Sequence, residues 1–293
     1  MSNTRKYDPD LEMMLAGLNP YVNPHDFHPD ISKNSNQSVL ENASNQIPSK
    51  PSKHQHFSEL DNDLNGVDDY TLFQSGEVKI NPSDLYTLPG EIGKFIGTQQ
   101  KFRSAYAIDG EAGAGKSELV MQMANGFASI NKTVAYFDLE KGGLESKDTI
   151  ESRNRNVESR NNTSIKFAGY APNGISTILK HKDSFDVIII DSWQKLGERT
   201  ADLFDSLRQN FPDKIWIVIF QQTTTGRAKG GTGSTFDAPV VIKVFRPNKS
   251  THLTNYCVLE KNRGNDTAKV YSQIQKKVFS DYQSFEDQVL NQP

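Results

Sequence analysis

The chain has 293 residues and a formal net charge of −3, from 33 Lys and Arg against 36 Asp and Glu. That balance excludes a globally basic surface, so any contact with a nucleic acid must come from a local cluster of cations. A hydrophobic content of 35% with 24% charge suits a moderate core in one or two domains, and the single cysteine, Cys257, excludes an internal disulfide and every multi-cysteine zinc site.

The polar start, MSNTRKYDPD, and the lack of any long apolar run predict a cytoplasmic chain with no membrane segment. In residues 8–20, Leu11, Met14, Leu15 and Leu18 recur at helical spacing between an Asp-Pro start and Gly17 and Pro20. This segment reads either as a short helix that docks a protein partner or as one folded back on its own core. From about residue 20 to 80 the chain is rich in Asn, Ser, Pro and His. It buries too little apolar surface to offset its ordering entropy, so a largely disordered tether is expected. The division expected is therefore 1–80 helix and tether, 81–278 α/β domain, and 279–293 tail.

After residue 80, apolar runs appear at SAYAI, TVAYFDL, DVIIID, IWIVIF, VVIKVF and TNYCVLE. Runs such as DVIIID and IWIVIF are continuous rather than alternating, which indicates strands buried on both faces of a mainly parallel sheet. The last runs lie close together and predict antiparallel hairpins at one end. Cys257 falls in the last of them and is expected to be a buried, inert thiol.

Between the first strand and a stretch with Leu119, Val120, Met123 and Phe127 at helical spacing lies DGEAGAGKSE. Gly110, four intervening residues, then Gly115, Lys116 and Ser117 satisfy the P-loop template. There a glycine-rich turn aims backbone N–H groups at a di- or triphosphate, and the lysine reaches the outer phosphates. Residues Gly110, Glu111, Ala112, Gly113, Ala114, Gly115, Lys116, Ser117 and Glu118 are thus the candidate ATP-binding segment. Magnesium chemistry needs a further acid at a strand end, and FDVIIIDS supplies Asp191, with Ser117 as the direct Mg²⁺ ligand. Another acid must orient the attacking water. TVAYFDLE ends in Asp138 and Glu140, and Glu140 lies just beyond the strand, where it can reach the γ-phosphate side.

The succession of P-loop, YFDLE, IIIDSWQKL, FQQTTTG and KNRGN resembles the RecA superfamily. It is most similar to the ATPase core of the RadA/Sms family and more distantly to DnaB-type replicative helicases. The likeness covers about residues 85–275 and includes the entry segment LPGEIGKFIG; KNRGN resembles the KNRFG signature but lacks its aromatic. The resemblance implies a RecA-like P-loop core using ATP and Mg²⁺, with Glu140 activating water and Gln222 sensing the γ-phosphate. It implies that the loop TTTGRAKGGTGSTFD meets single-stranded DNA through Arg227 and Lys229. Lys261 and Arg263 end the apolar run YCVLE, where a strand can present them at a subunit edge, and phosphoryl transfer gains from a further cation, so a homo-oligomer, ring or filament, is expected in which one of them completes a neighbour's ATP site. The function expected is an ATPase acting on single-stranded DNA in recombination, repair or replication; the alternative is a nucleotide-gated adaptor or loader docking a partner through residues 8–20.

Overall fold

In the computed structural model the described residues are 79–140, 146–196, 201–222 and 237–291. The segment 8–20, the tether up to residue 78, and Arg227 and Lys229 lie outside them. The described part begins with β1 (Leu85–Tyr86), α1 (Gly90–Ile96) and β2 (Gln99–Gln100), where β1 and β2 form a small antiparallel pair.

The continuous apolar runs become the centre of a nine-stranded sheet, because a strand without a polar face needs cover on both sides. In chain order its strands are β3 (Ala105–Gly110), β4 (Val134–Asp138), β5 (Ile165–Ala168), β6 (Val187–Asp191) and β7 (Ile215–Gln221). They continue with β8 (Val240–Phe245), β9 (Tyr256–Asn262), β10 (Val270–Ser272) and β11 (Lys277–Phe279). The spatial order is β11-β10-β9-β8-β3-β7-β6-β4-β5. From β8 to β5 all neighbours run parallel; from β8 to β11 each pair is antiparallel.

The hairpin expected at VVIKVF is present, β8 pairing antiparallel with β9, and β8 also lies parallel to β3, pairing Tyr106 with Val240 through to Gly110 with Val244. It is therefore the outermost parallel strand and the hinge to an antiparallel wing. Segment 279–291, expected as a tail, contributes Phe279 to β11. It then forms α6 (Tyr282–Phe285), whose Asp281 cap accepts from the Ser284 amide at 2.7 Å. Phe285 is buried with Phe279 and Val270, closing the wing.

Alternate residues of each strand face opposite layers. Tyr106, Ile108, Tyr136, Ile189, Ile217 and Ile219 pack with Leu119, Val120, Met123 and Phe127 of α2 (Lys116–Ser129). On the other face Ala107, Phe137, Ile190, Trp216 and Phe220 pack with Trp193, with Ile178 of α4 (Ile175–Leu179), and with Phe204 and Leu207 of α5 (Ala201–Asn210). The rings of Trp193, Phe204 and Phe220 meet edge-on or tilted at 5.8–6.0 Å, the geometry aromatic quadrupoles favour. α3 (Lys147–Asn156) joins α2 at the sheet's C-terminal end, with Ser146 capping it through the Thr149 amide. Cys257 is fully buried, and burial pushes its thiol pKa well up. Among the described residues no helix is long and apolar enough to cross a membrane.

Candidate functional site

β3 ends at Gly110, the chain turns through residues 111–115, and α2 starts at Lys116. Gly113 and Gly115 hold φ of 74° and 94°, a region that side chains with a Cβ rarely adopt. Gly115 is the N-cap of α2 and no side chain caps that end, which leaves the first-turn N–H groups open to an anion. The Lys116 ammonium, only 8% exposed, donates to the carbonyls of Gly110 and Glu111 at 2.8 Å each. Burial lowers its pKa, opposed by the nearby carboxylates of Glu140, Asp191, Asp109 and Glu111. The cation thus rests on the loop it would leave for a phosphate.

β6 brings Asp191 against this turn. Its Oδ2 accepts from Ser117 Oγ at 2.7 Å and from the Tyr136 hydroxyl at 3.0 Å; its Oδ1 is buried without a partner. Such an acceptor beside a serine hydroxyl fits a divalent cation, which would supply what Oδ1 lacks. Among the described residues no cluster of three or more His, Cys, Asp or Glu could hold a metal by itself. Magnesium needs no such cluster, as it typically takes one or two protein ligands and completes its shell with phosphate oxygens and water.

Burial pushes the Asp191 pKa up to about 6 from 3.8. The folded carboxyl then holds its proton more tightly than the unfolded one, so its contribution to stability is best below about pH 4 and declines as pH rises to about 6. The decline is about 3 kcal/mol, at about 1.36 kcal/mol per pKa unit. Asp191→Asn is expected to abolish this slope, leaving the variant more stable than the metal-free wild type at pH 7. Urea melts of both proteins at pH 4 and pH 7 check this, and parallel curves would contradict it.

The two acids after β4 part company. Asp138 is buried and accepts from Thr149 Oγ1 of α3 at 2.6 Å, whereas Glu140 is exposed and lines the cleft. Glu140 Oε1 accepts from Gln221 Nε2 at 3.0 Å, while the amide of Gln222 turns to Asp109 Oδ1 at 2.6 Å. Both glutamines line the cleft, Gln221 beside Glu140 and Gln222 beside Asp109. Glu118 accepts from Ser152 at 2.8 Å, Asn156 at 2.7 Å and Arg155 at 3.2 Å, tying α2 to α3 at the edge of the cleft.

Lys116, Ser117, Glu140, Gln221 and Gln222 line one cleft of about 750 Å³ together with Gly113, His252 and Asn255. Lys261 and Arg263 do not. Lys261 pairs with Val241, and the Arg263 amide donates to Pro239, at the edge where the parallel strands begin. The P-loop stands at the opposite edge: Val241 and Pro239 lie three and five residues before Val244, the partner of Gly110, about 10 and 17 Å of strand rise.

No family model matches the chain. Over 108 residues it is 33% identical to a DNA repair protein RadA from Rickettsia conorii; the match covers 36% of this chain and 23% of RadA. The similarity thus spans about a quarter of that relative's length. Among solved structures, a KaiC-like protein from Pyrococcus horikoshii OT3 aligns with a TM-score of 0.44 and 17% identity, covering 58% of this chain and 84% of that one. Sheet order and loop together are those of an α/β fold with a phosphate-loop turn after β3, and over the matched 108 residues the chain resembles RadA.

Proposed function

We propose that the chain binds ATP with Mg²⁺ at residues 110–118 and hydrolyses it to ADP and phosphate, in a cycle coupled to single-stranded DNA during recombination, repair or replication. The observation that carries this reading is that Lys116, Ser117 and Glu140 line one cleft while Asp191, buried behind it, accepts from the Ser117 hydroxyl. The loop amides and the α2 N-terminus hold the β-phosphate, and Lys116 swings from its carbonyls to the β/γ oxygens. Ser117 and Asp191 would hold Mg²⁺, which would supply positive charge against the charge gathering on those oxygens. Glu140, kept in place by Gln221, accepts the proton of the water that attacks the γ-phosphorus, and the β–γ bridging oxygen departs with ADP.

The DNA half of the proposal draws on the name of the RadA relative and on chain order. Segment 223–236 follows directly on Gln221 and Gln222, so a strand held by Arg227 and Lys229 would be next in sequence to the residue that positions Glu140. Replacing both cations by Ala is expected to weaken single-stranded DNA binding and to flatten its salt dependence by up to about 1.4 log units per log salt, at roughly 0.7 per lost contact. DNA titrations at several salt concentrations measure the slope; an unchanged slope moves the contact elsewhere.

In this reading Lys261 or Arg263 acts on a neighbouring subunit's ATP site, since neither lines the cleft of its own chain. A cation inserted by a neighbour can be worth about 10³-fold or more in phosphoryl transfer. Mixing Lys116→Ala with Lys261→Ala/Arg263→Ala, each inactive alone, is expected to restore hydrolysis by reuniting an intact loop with an intact finger at one interface. A double variant that is fully active by itself refutes the shared site. The coupling to DNA is tested by ATP turnover of the full chain with and without single-stranded DNA: stimulation is expected, and turnover indifferent to DNA would favour the nucleotide-gated adaptor.

A further inference from the structure

A phosphate loop works by turning backbone N–H groups toward the anion, which turns the carbonyls of the same peptides outward. Outward carbonyls in a buried turn need donors of their own. Ala114 is fully buried, and its carbonyl accepts from Gln273 Nε2 at 2.8 Å and from Asn255 Nδ2 at 3.0 Å. The same Asn255 amide reaches the Gly113 carbonyl at 3.4 Å. Both amide side chains are 0% exposed. Asn255 immediately precedes β9 and Gln273 immediately follows β10, so two adjacent strands of the antiparallel wing grip the loop from outside.

Gln273 is itself fixed on two sides. Its Oε1 accepts from Cys257 Sγ at 3.3 Å, and its backbone carbonyl accepts from Gln122 Nε2 of α2 at 2.7 Å. Gln122 in turn accepts from the Tyr271 hydroxyl at 2.6 Å. A Cβ at position 115 would come within 2.9 Å of Gln273 Nε2, so the glycine there leaves the space that this amide occupies. Loop, wing and α2 close into one hydrogen-bonded ring.

We propose that Asn255 and Gln273 are positioning residues for the nucleotide: by holding the Ala114 carbonyl outward they keep the Gly115 amide of the same peptide turned toward the β- and γ-phosphates. This rests on the ATP-site reading above. The loop grips phosphate in the ground state and the transition state alike, so a loosened loop raises Kd and KM and leaves kcat nearly unchanged. A purely structural role would differ, lowering the folded fraction and hence the apparent kcat at constant KM.

The test uses the full chain with Gln273→Met, which keeps length and loses the donor, and with Asn255→Leu as an independent second probe should the first fold poorly. Each is titrated with ATP, ADP and AMP and assayed for steady-state hydrolysis. Each single variant is expected to weaken ATP and ADP binding by about tenfold, the scale of one lost hydrogen bond, and the double variant by more than either single, without simple additivity because both amides share the Ala114 carbonyl. AMP, which has no β-phosphate, should bind as to the wild type. Unchanged ADP and ATP affinities in both variants, an equal loss for AMP, or a fall in kcat at constant KM overturns the proposal. A wild-type chain that binds neither ADP nor ATP refutes the ATP site itself, a result seen before any substitution is made.

Discussion

Lys116→Ala is expected to lose ATP binding on the order of a hundredfold to ten-thousandfold and to show no measurable hydrolysis. The side chain is a buried cation parked on two loop carbonyls, and charge-assisted hydrogen bonds of this kind are worth about 1.5–3 kcal/mol each. Losing two such bonds to the β- and γ-phosphates sets the range. The fold should survive, because α2 keeps its apolar contacts through Leu119, Val120, Met123 and Phe127. Equilibrium titration with a fluorescent ATP analogue, beside a thermal melt, separates loss of binding from loss of structure. Wild-type affinity in a folded Lys116→Ala protein would remove the P-loop from the account.

Glu140→Gln is expected to leave ATP affinity near the wild-type value and to slow hydrolysis by about 10²–10⁴, the usual worth of a positioned general base. The substitution is nearly isosteric at an exposed position, and the new amide oxygen can still accept from Gln221. What is lost is the capacity to take a proton. Asp138→Asn is the paired control: Asp138 is buried and occupied by Thr149, so its amide variant should hydrolyse ATP at a rate close to wild type. Single-turnover phosphate release measures both. The opposite pattern, with Asp138→Asn inert and Glu140→Gln active, would assign the water to the other carboxylate.

The central strands were legible because a run such as VIIID or IWIVIF has no polar side to offer solvent, and parallel burial follows. β5 was not, since only Ile165 of its four residues is buried and an edge strand shows a weak pattern. β10 and β11 are three residues each, too short for a period to register. The direction of β8 was hidden for another reason. An apolar run records burial, whereas parallel or antiparallel pairing depends on the path of the chain between β7 and β8.

The site divides in the same way. The glycines, Lys116 and Ser117 lie within eight residues and so carry a readable spacing, and Asp191 ends an unmistakable strand. Gln221 carried no signal apart from its neighbour Gln222; its hydrogen bond to Glu140 is seen only in the structure. Asn255 and Gln273 left no signal at all. They are isolated amides beside short strands, 141 and 159 residues from the carbonyl they hold, and only the sheet order brings them to the loop.

The most direct measurement of the central claim is Mg²⁺-dependent phosphate release from ATP by the purified full chain. The account predicts steady release that stops when Mg²⁺ is chelated and when Lys116 is replaced by Ala. Release that persists with Mg²⁺ removed or with Lys116→Ala, or a wild-type chain that binds ATP and never cleaves it under any condition, would contradict it.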